Sequence, residues 1–110
     1  MAQEIEILLY RQGGWCPFSE WISSLKDARA VGIVRARLNR IRLGNFGDCK
    51  AVGEGVEELR IDFGPGYRIY FGKDGLELII LLGGGSKKQQ NKDIHLAKQR
   101  WNEYKQRKKR

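Results

Sequence analysis

A chain of 110 residues is long enough to bury one core and too short for two. Apolar residues make up 41%, including three Trp, four Tyr and four Phe, which excludes a disordered chain. No stretch approaches the eighteen apolar residues of a membrane span, and Cys16, Cys49 and a single His lack the spacing of a structural zinc or iron–sulfur site, so no metal and no cofactor is expected.

Residues 4–10 (EIEILLY) read as a strand, ended by Gln12-Gly13-Gly14. The start, Met1-Ala2-Gln3-Glu4, lacks the basic-then-apolar pattern of a secretion signal, so a cytoplasmic location is expected. Pro17 suits the first turn of a short helix with a buried stripe of Phe18, Trp21, Ile22 and Leu25. Asp27 is an N-cap for a second helix whose stripe is Val31, Val34, Leu38 and Ile41. Gly44 suits the position after that helix, and Arg40 and Arg42 sit where cations favour its end. Residues 45–55 read as a glycine-containing connection. Trp15, beside a glycine pair, has no assigned role. Cys16 and Cys49 read as free thiols of a reducing compartment, with one disulfide left open.

Two alternating strands follow, around Gly64-Pro65-Gly66. Leu59, Ile61, Phe63, Tyr67, Ile69 and Phe71 form the apolar face; Glu58, Arg60, Asp62, Arg68 and Tyr70 form a solvated one. A three-residue loop would set Phe63 opposite Tyr67, Asp62 opposite Arg68, and Arg60 opposite Tyr70. Residues 76–82 (LELIILL) are apolar on both faces, as in an interior strand. Gly83-Gly84-Gly85 then permits a tight turn into a last helix capped by Asn91, with Asp93 in its first turn and a stripe of Ile94, Ala97, Trp101 and Tyr104. Residues 105–110 read as a frayed basic tail on a single domain spanning 1–110.

The net charge of +8 is uneven. Residues 31–50 hold five Lys or Arg and one acid, residues 76–110 hold ten and three, and the remainder holds six bases against nine acids. Such a field favours nucleic acid or an acidic protein, and no apolar face beyond core needs points to a membrane surface.

The order β-α-α-β-β-β-α makes an α+β fold: a small, mostly antiparallel sheet with two N-terminal helices on one face and a C-terminal helix. With the segments Glu58-Leu59-Arg60-Ile61, Gly66-Tyr67-Arg68-Ile69-Tyr70-Phe71, and residues 81–88 (LLGGGSKK) followed by Lys92-Asp93-Ile94, it resembles the RelE/ParE superfamily of bacterial toxins, in the addiction-module-killer branch related to HigB. The resemblance covers nearly the whole chain. It implies the toxin of a type II toxin–antitoxin pair, acting as a ribosome-dependent, metal-independent messenger-RNA endonuclease that stops translation. It also implies a small helix-turn-helix antitoxin, higher oligomers with it, and the ribosome and message as partners.

Carried across by position, the phosphate-gripping arginine is Arg68 and the basic residue before the last helix is Lys88, beside Lys87. The two lysines of cleaving relatives fall on Glu58 and Arg60. The family's Tyr falls on Ile94, leaving His95 as the nearby titratable group. Cleavage needs a base for the 2′-hydroxyl, charge at the five-coordinate phosphate, and an acid for the leaving oxygen. Arg60, Arg68 and Lys88 suit the phosphate, Glu58 the base and His95 the acid. Lys87, Tyr70, Arg35, Arg40, Arg42 and Lys92 are the expected RNA contacts. Each has a plainer alternative as a solvated or ion-paired residue. Two other functions stay open: non-enzymatic inhibition of DNA gyrase, as in ParE-like members, and an inactive nucleic-acid-binding relative.

Overall fold

The computed structural model describes residues 4–109. The expectation for Met1-Ala2-Gln3, and Arg110 of the tail, lie outside them. The elements are β1 (Glu6–Leu9), α1 (Pro17–Ser24), α2 (Ala28–Arg42), β2 (Cys49–Gly53), β3 (Val56–Ile61), β4 (Tyr67–Lys73), β5 (Leu78–Ser86), a single 3-10 turn (Lys87–Gln89) and α3 (Gln90–Lys108). The fold is α+β, with five strands in the order β1-β5-β4-β3-β2. Only the β1–β5 pair is parallel; the other three pairings are antiparallel.

Two apolar layers flank this sheet. Ile79 and Leu81 of β5 join Ile69 and Phe71 of β4 and Leu59 and Ile61 of β3 in one cluster, closed by Phe18 of α1 and Val34, Leu38 and Ile41 of α2. The opposite row, Ile80, Leu82, Tyr70 and Val56, packs on Ala97 and Trp101 of α3. An interior strand covered on both sides must be apolar on both sides, as the run in β5 requires. Asp27 caps α2 by accepting from the Arg29 amide at 2.9 Å, and Gly44 follows its end at φ 88°.

Four expectations are corrected. Residues 49–53 form β2 rather than a connection, joined to β3 through Glu54 at φ 55° and Gly55 at φ 83°. The hairpin register slips by two: Ile61 faces Tyr67, Arg60 faces Arg68, and Glu58 faces Tyr70. The loop takes five residues, closed by the Gly66 amide donating to the Phe63 carbonyl at 3.0 Å. An even slip preserves the faces, so the apolar row survives the error. Gly83, Gly84 and Gly85 lie within β5, with a bulge opposite Tyr70 and Phe71. Lastly, Ala30 is buried in the α2 stripe where Val31 was expected, being only half-buried.

The last helix begins at Gln90 after Gln89, not at an Asn91 cap, and runs to Lys108 through most of the expected frayed tail. Asp74, just after β4, holds its far end by accepting from the Tyr104 hydroxyl at 2.7 Å and the Lys108 ammonium at 2.5 Å. Lys108 first, then Tyr104, holds this carboxyl below its ordinary value. The contribution is therefore complete above a pH of about 3.9 and lost as pH falls through the lower folded value. Hydrogen exchange in the last turn of α3 is expected to accelerate only below that point, while the helix centre stays protected.

Glycine sets the approach of α3. A Cβ on Gly72 would lie 2.5 Å from the Trp101 ring, so the indole rests directly on the β4 backbone. Gly72→Ala is expected to destabilise the fold by about 1–3 kcal/mol through overpacking. Denaturant unfolding monitored by tryptophan fluorescence checks this.

Candidate nucleic-acid interface

The cations and their acid partners come from facing strands. On β3, Glu58 and Arg60 are two residues apart and share a side; on β4, Arg68 lies directly opposite Arg60. Two guanidinium groups so placed repel unless an anion stands between them. Glu58 does so. Its Oε1 lies 3.7 Å from Arg68 Nε and 4.0 Å from Arg60 Nε, and its Oε2 accepts from Gln90 Nε2 at 2.7 Å. Gln90 is the first residue of α3, so the helix start clamps the carboxylate beneath the two arginines.

Burial then separates the expected roles. Glu58 is 1% exposed and Tyr70 1%. Glu58, expected as a base, is an internal counter-ion that aims the arginines. Tyr70, expected to touch RNA, is sealed under α3. By geometry its hydroxyl makes no hydrogen bond among the described residues, and burial, then Glu58 and Asp93 nearby, raises its pKa. The polar face expected to be solvated is thus largely an interior layer. Arg68 is 8% exposed; its Nη1 donates to the Tyr67 carbonyl at 3.0 Å, and its buried Nε, with Glu58 at ion-pair distance, makes no hydrogen bond among the described residues. Arg60 reaches further out, with 39% of its side chain exposed and Asp48 at 3.6 Å.

What remains open is a groove of about 420 Å³ lined by Arg60, Arg68 and Lys87, with Asp48 and Asp62 on its walls. Its rim is built by the hairpin loop. The Lys87 amide donates to the Gly66 carbonyl at 2.9 Å, and a Cβ on Gly66 would meet Lys87 Cβ at 3.4 Å and Arg68 Nη1 at 3.8 Å. A glycine here, at φ 85°, lets the lysine stem lie beside the arginine. Lys87 also lines a second recess of about 450 Å³, with Lys88, Lys92 and the start of α3. Two open recesses therefore share one cation, and among the described residues neither Lys87 nor Lys88 lies in an ion pair.

The other expected residues lie elsewhere. His95 is exposed on α3 and lines neither recess. Arg35, Arg40 and Arg42 are exposed on α2, which covers the opposite face of the sheet; Arg42 donates to Asn39 at 2.6 Å. Gln90 and Asp48 were missed. Asp48 follows from β2, invisible without that strand, and Gln90 from a helix start placed two residues too late. Both cysteines are free thiols, and burial raises Cys49 to about 11.

This arrangement defines an α+β protein with a basic groove at one end of its sheet; no helix among the described residues is long and apolar enough to cross a membrane. No protein-family model matches the chain, and no solved structure matches it. A Haemophilus influenzae protein described as "Uncharacterized protein" is 51% identical over 81 residues, covering 74% of this chain and 82% of that relative. The chain belongs to the same family as that protein.

Proposed function

We propose that this protein is the toxin of a type II toxin–antitoxin pair, of the RelE/ParE kind, that acts in the cytoplasm on messenger RNA held by the ribosome. One observation carries the reading: Arg60 and Arg68 face each other across β3 and β4, with Lys87 beside Arg68 on an open groove. Fixed guanidinium groups over a buried counter-ion are preorganised for phosphate, since they need not reorganise as charge grows on its oxygens. Lys88 and Lys92 continue the track. The ribosome supplies in-line placement of the message. A small antitoxin with an acidic segment would silence the chain by covering the same cations.

A separate observation favours a second reading. Neither group expected to move protons opens on the groove, Glu58 being buried and His95 lying outside. A gyrase-directed or inactive relative needs the cations without the proton chemistry.

Induction of the protein, followed by mapping of message 5′ ends, separates these. Cuts within translated regions, lost in Lys87→Glu, support the nuclease. Intact messages with DNA-damage signalling support the gyrase reading, and unimpaired growth supports the inactive relative. Lys87 is the variant of choice because it is exposed and its removal leaves no buried charge unpaired.

A further inference from the structure

A second cleft, on the unpaired edge of β5, is built differently from the cation groove. β1 ends at Leu9, opposite Leu81, while β5 continues to Ser86. Beyond that point α1 and α3 flank the strand edge and leave a recess of about 190 Å³, lined in part by Trp15, Trp21, Gly84, Asp93, Leu96 and Arg100. Trp15 is 41% exposed, although large aromatic rings are ordinarily covered. It is not loose: its amide and carbonyl pair with Gln12, and its indole N–H donates to Glu20. Arg100 spans from the Leu82 carbonyl, at 3.0 Å, to a position 5.2 Å from the Trp15 ring centre. Trp21 lies flat on the strand, where a Cβ on Gly84 would come within 2.4 Å of it.

Asp93 supplies the polar element. Its carboxylate is pressed onto Gly85, and its Oδ2 is buried without a hydrogen-bond partner among the described residues. Burial raises its pKa, as expected of a carboxylate lacking donors. A fixed aromatic wall, an acceptor short of donors and a guanidinium together suit a flat heterocycle. Bases of single-stranded RNA are read in this way, by stacking and by hydrogen bonds to their edges. Guanine is the base whose Watson–Crick edge offers two adjacent N–H donors to one carboxylate, and it presents O6 and N7 as acceptors to an arginine. Uracil would set carbonyl oxygens against the carboxylate.

The cleft also lies beside the groove. Gly84 floors it, and Gly85, the next residue, pairs with Arg68. Asp93, which lines the cleft, lies against Gly85 on the face that Arg68 shares, so the base cleft and the phosphate grip adjoin the same strand pair. We infer that the recess between α1 and α3 is a guanine-binding subsite, in which the base stacks on Trp15, accepts from Arg100 and donates to the Asp93 carboxylate, which turns about its Cβ–Cγ bond to bring the enclosed Oδ2 to the recess. The assignment rests on the RNA reading of the groove.

Titration of the full chain with guanosine 5′-monophosphate, uridine 5′-monophosphate and inorganic phosphate tests it, with the indole N–H resonance of Trp15 as the readout. Guanosine monophosphate should shift that resonance saturably and bind at least ~10-fold tighter than the uridine nucleotide, the discrimination expected of a bidentate base contact; phosphate should leave it in place. Asp93→Asn should abolish the preference. It removes a buried charge, so the fold should hold, and thermal unfolding confirms that. Trp15→Leu, at an exposed position and followed through the Trp21 indole resonance instead, should weaken both nucleotides. Equal binding of the two nucleotides, or guanosine monophosphate binding with an unmoved Trp15 signal, overturns the subsite. Selective nucleotide binding in a chain that leaves messages intact would retain the subsite and reject the nuclease; cut messages with no response at Trp15 would do the reverse.

Discussion

Replacing Glu58 by Ala should cost about 3–5 kcal/mol of stability, the usual range when one partner of a buried ionic cluster is removed. The carboxylate is 1% exposed and stands within 4.0 Å of two arginines, with Gln90 on its second oxygen. Without it, Arg60 and Arg68 face each other across β3 and β4 as unscreened like charges, and the Gln90 amide loses its acceptor. For a domain of this size, each kcal/mol shifts Tm by about 4–8 °C, so a drop well above 10 °C is expected by calorimetry. Arg60 is partly solvated, which places the effect toward the lower end of the range. Glu58→Gln keeps the shape and the acceptor for Gln90 and should lose less. A Glu58→Ala chain as stable as the parent would mean that the arginines are held by something else.

Arg68→Lys should retain the fold and lower message cleavage ~100-fold, the typical effect of deleting one preorganised contact to a developing charge. A lysine ammonium can still neutralise Glu58, so the buried pair survives. It cannot hold Glu58 and the Tyr67 carbonyl while presenting a second N–H to phosphate, which the planar fork of arginine permits. Arg68→Ala confounds the two effects by leaving Glu58 short of a partner. Comparing the Lys variant with wild type, by quantitative end-mapping after brief induction and by thermal unfolding, separates grip from folding. Unchanged cleavage in Arg68→Lys would remove the guanidinium from the proposed chemistry.

Residue spacing made the framework legible. The three-and-four spacing of Val34, Leu38 and Ile41, and of Ile94, Ala97, Trp101 and Tyr104, reports which face a helix buries, and those faces are the ones that pack. The doubly apolar run in β5 likewise announced an interior strand. Misreadings arose where glycine hid the local geometry. Cys49–Gly53 is short and half-exposed, so its alternation is faint; Gly83–Gly85 carry no side chains to alternate, so a strand there has the sequence look of a turn. In the hairpin loop Gly64-Pro65-Gly66 is the punctuation visible in sequence, whereas Asp62 and Phe63 belong to the loop too.

For the site, residue identity was legible and depth was not. Arg60 and Arg68 are placed together by strand alternation alone; the lysine that joins them on the groove is Lys87, whereas Lys88, expected there, lines only the neighbouring recess. That α3 seals Tyr70 and Glu58 depends on which face the helix chooses, a choice made by Gly72 and Trp101 some distance away in sequence. Chain order says little about such covering contacts.

The parallel pairing of Glu6 with Leu78 joins residues seventy-two positions apart. During synthesis at about 5–20 residues per second, the first strand therefore waits roughly 4–14 s for its partner. Such non-local closure is also slow in itself. Because Lys87 follows β5, the groove it lines with Arg60 and Arg68 forms only after that strand has been made, and a product broken off earlier carries arginines with no frame to aim them.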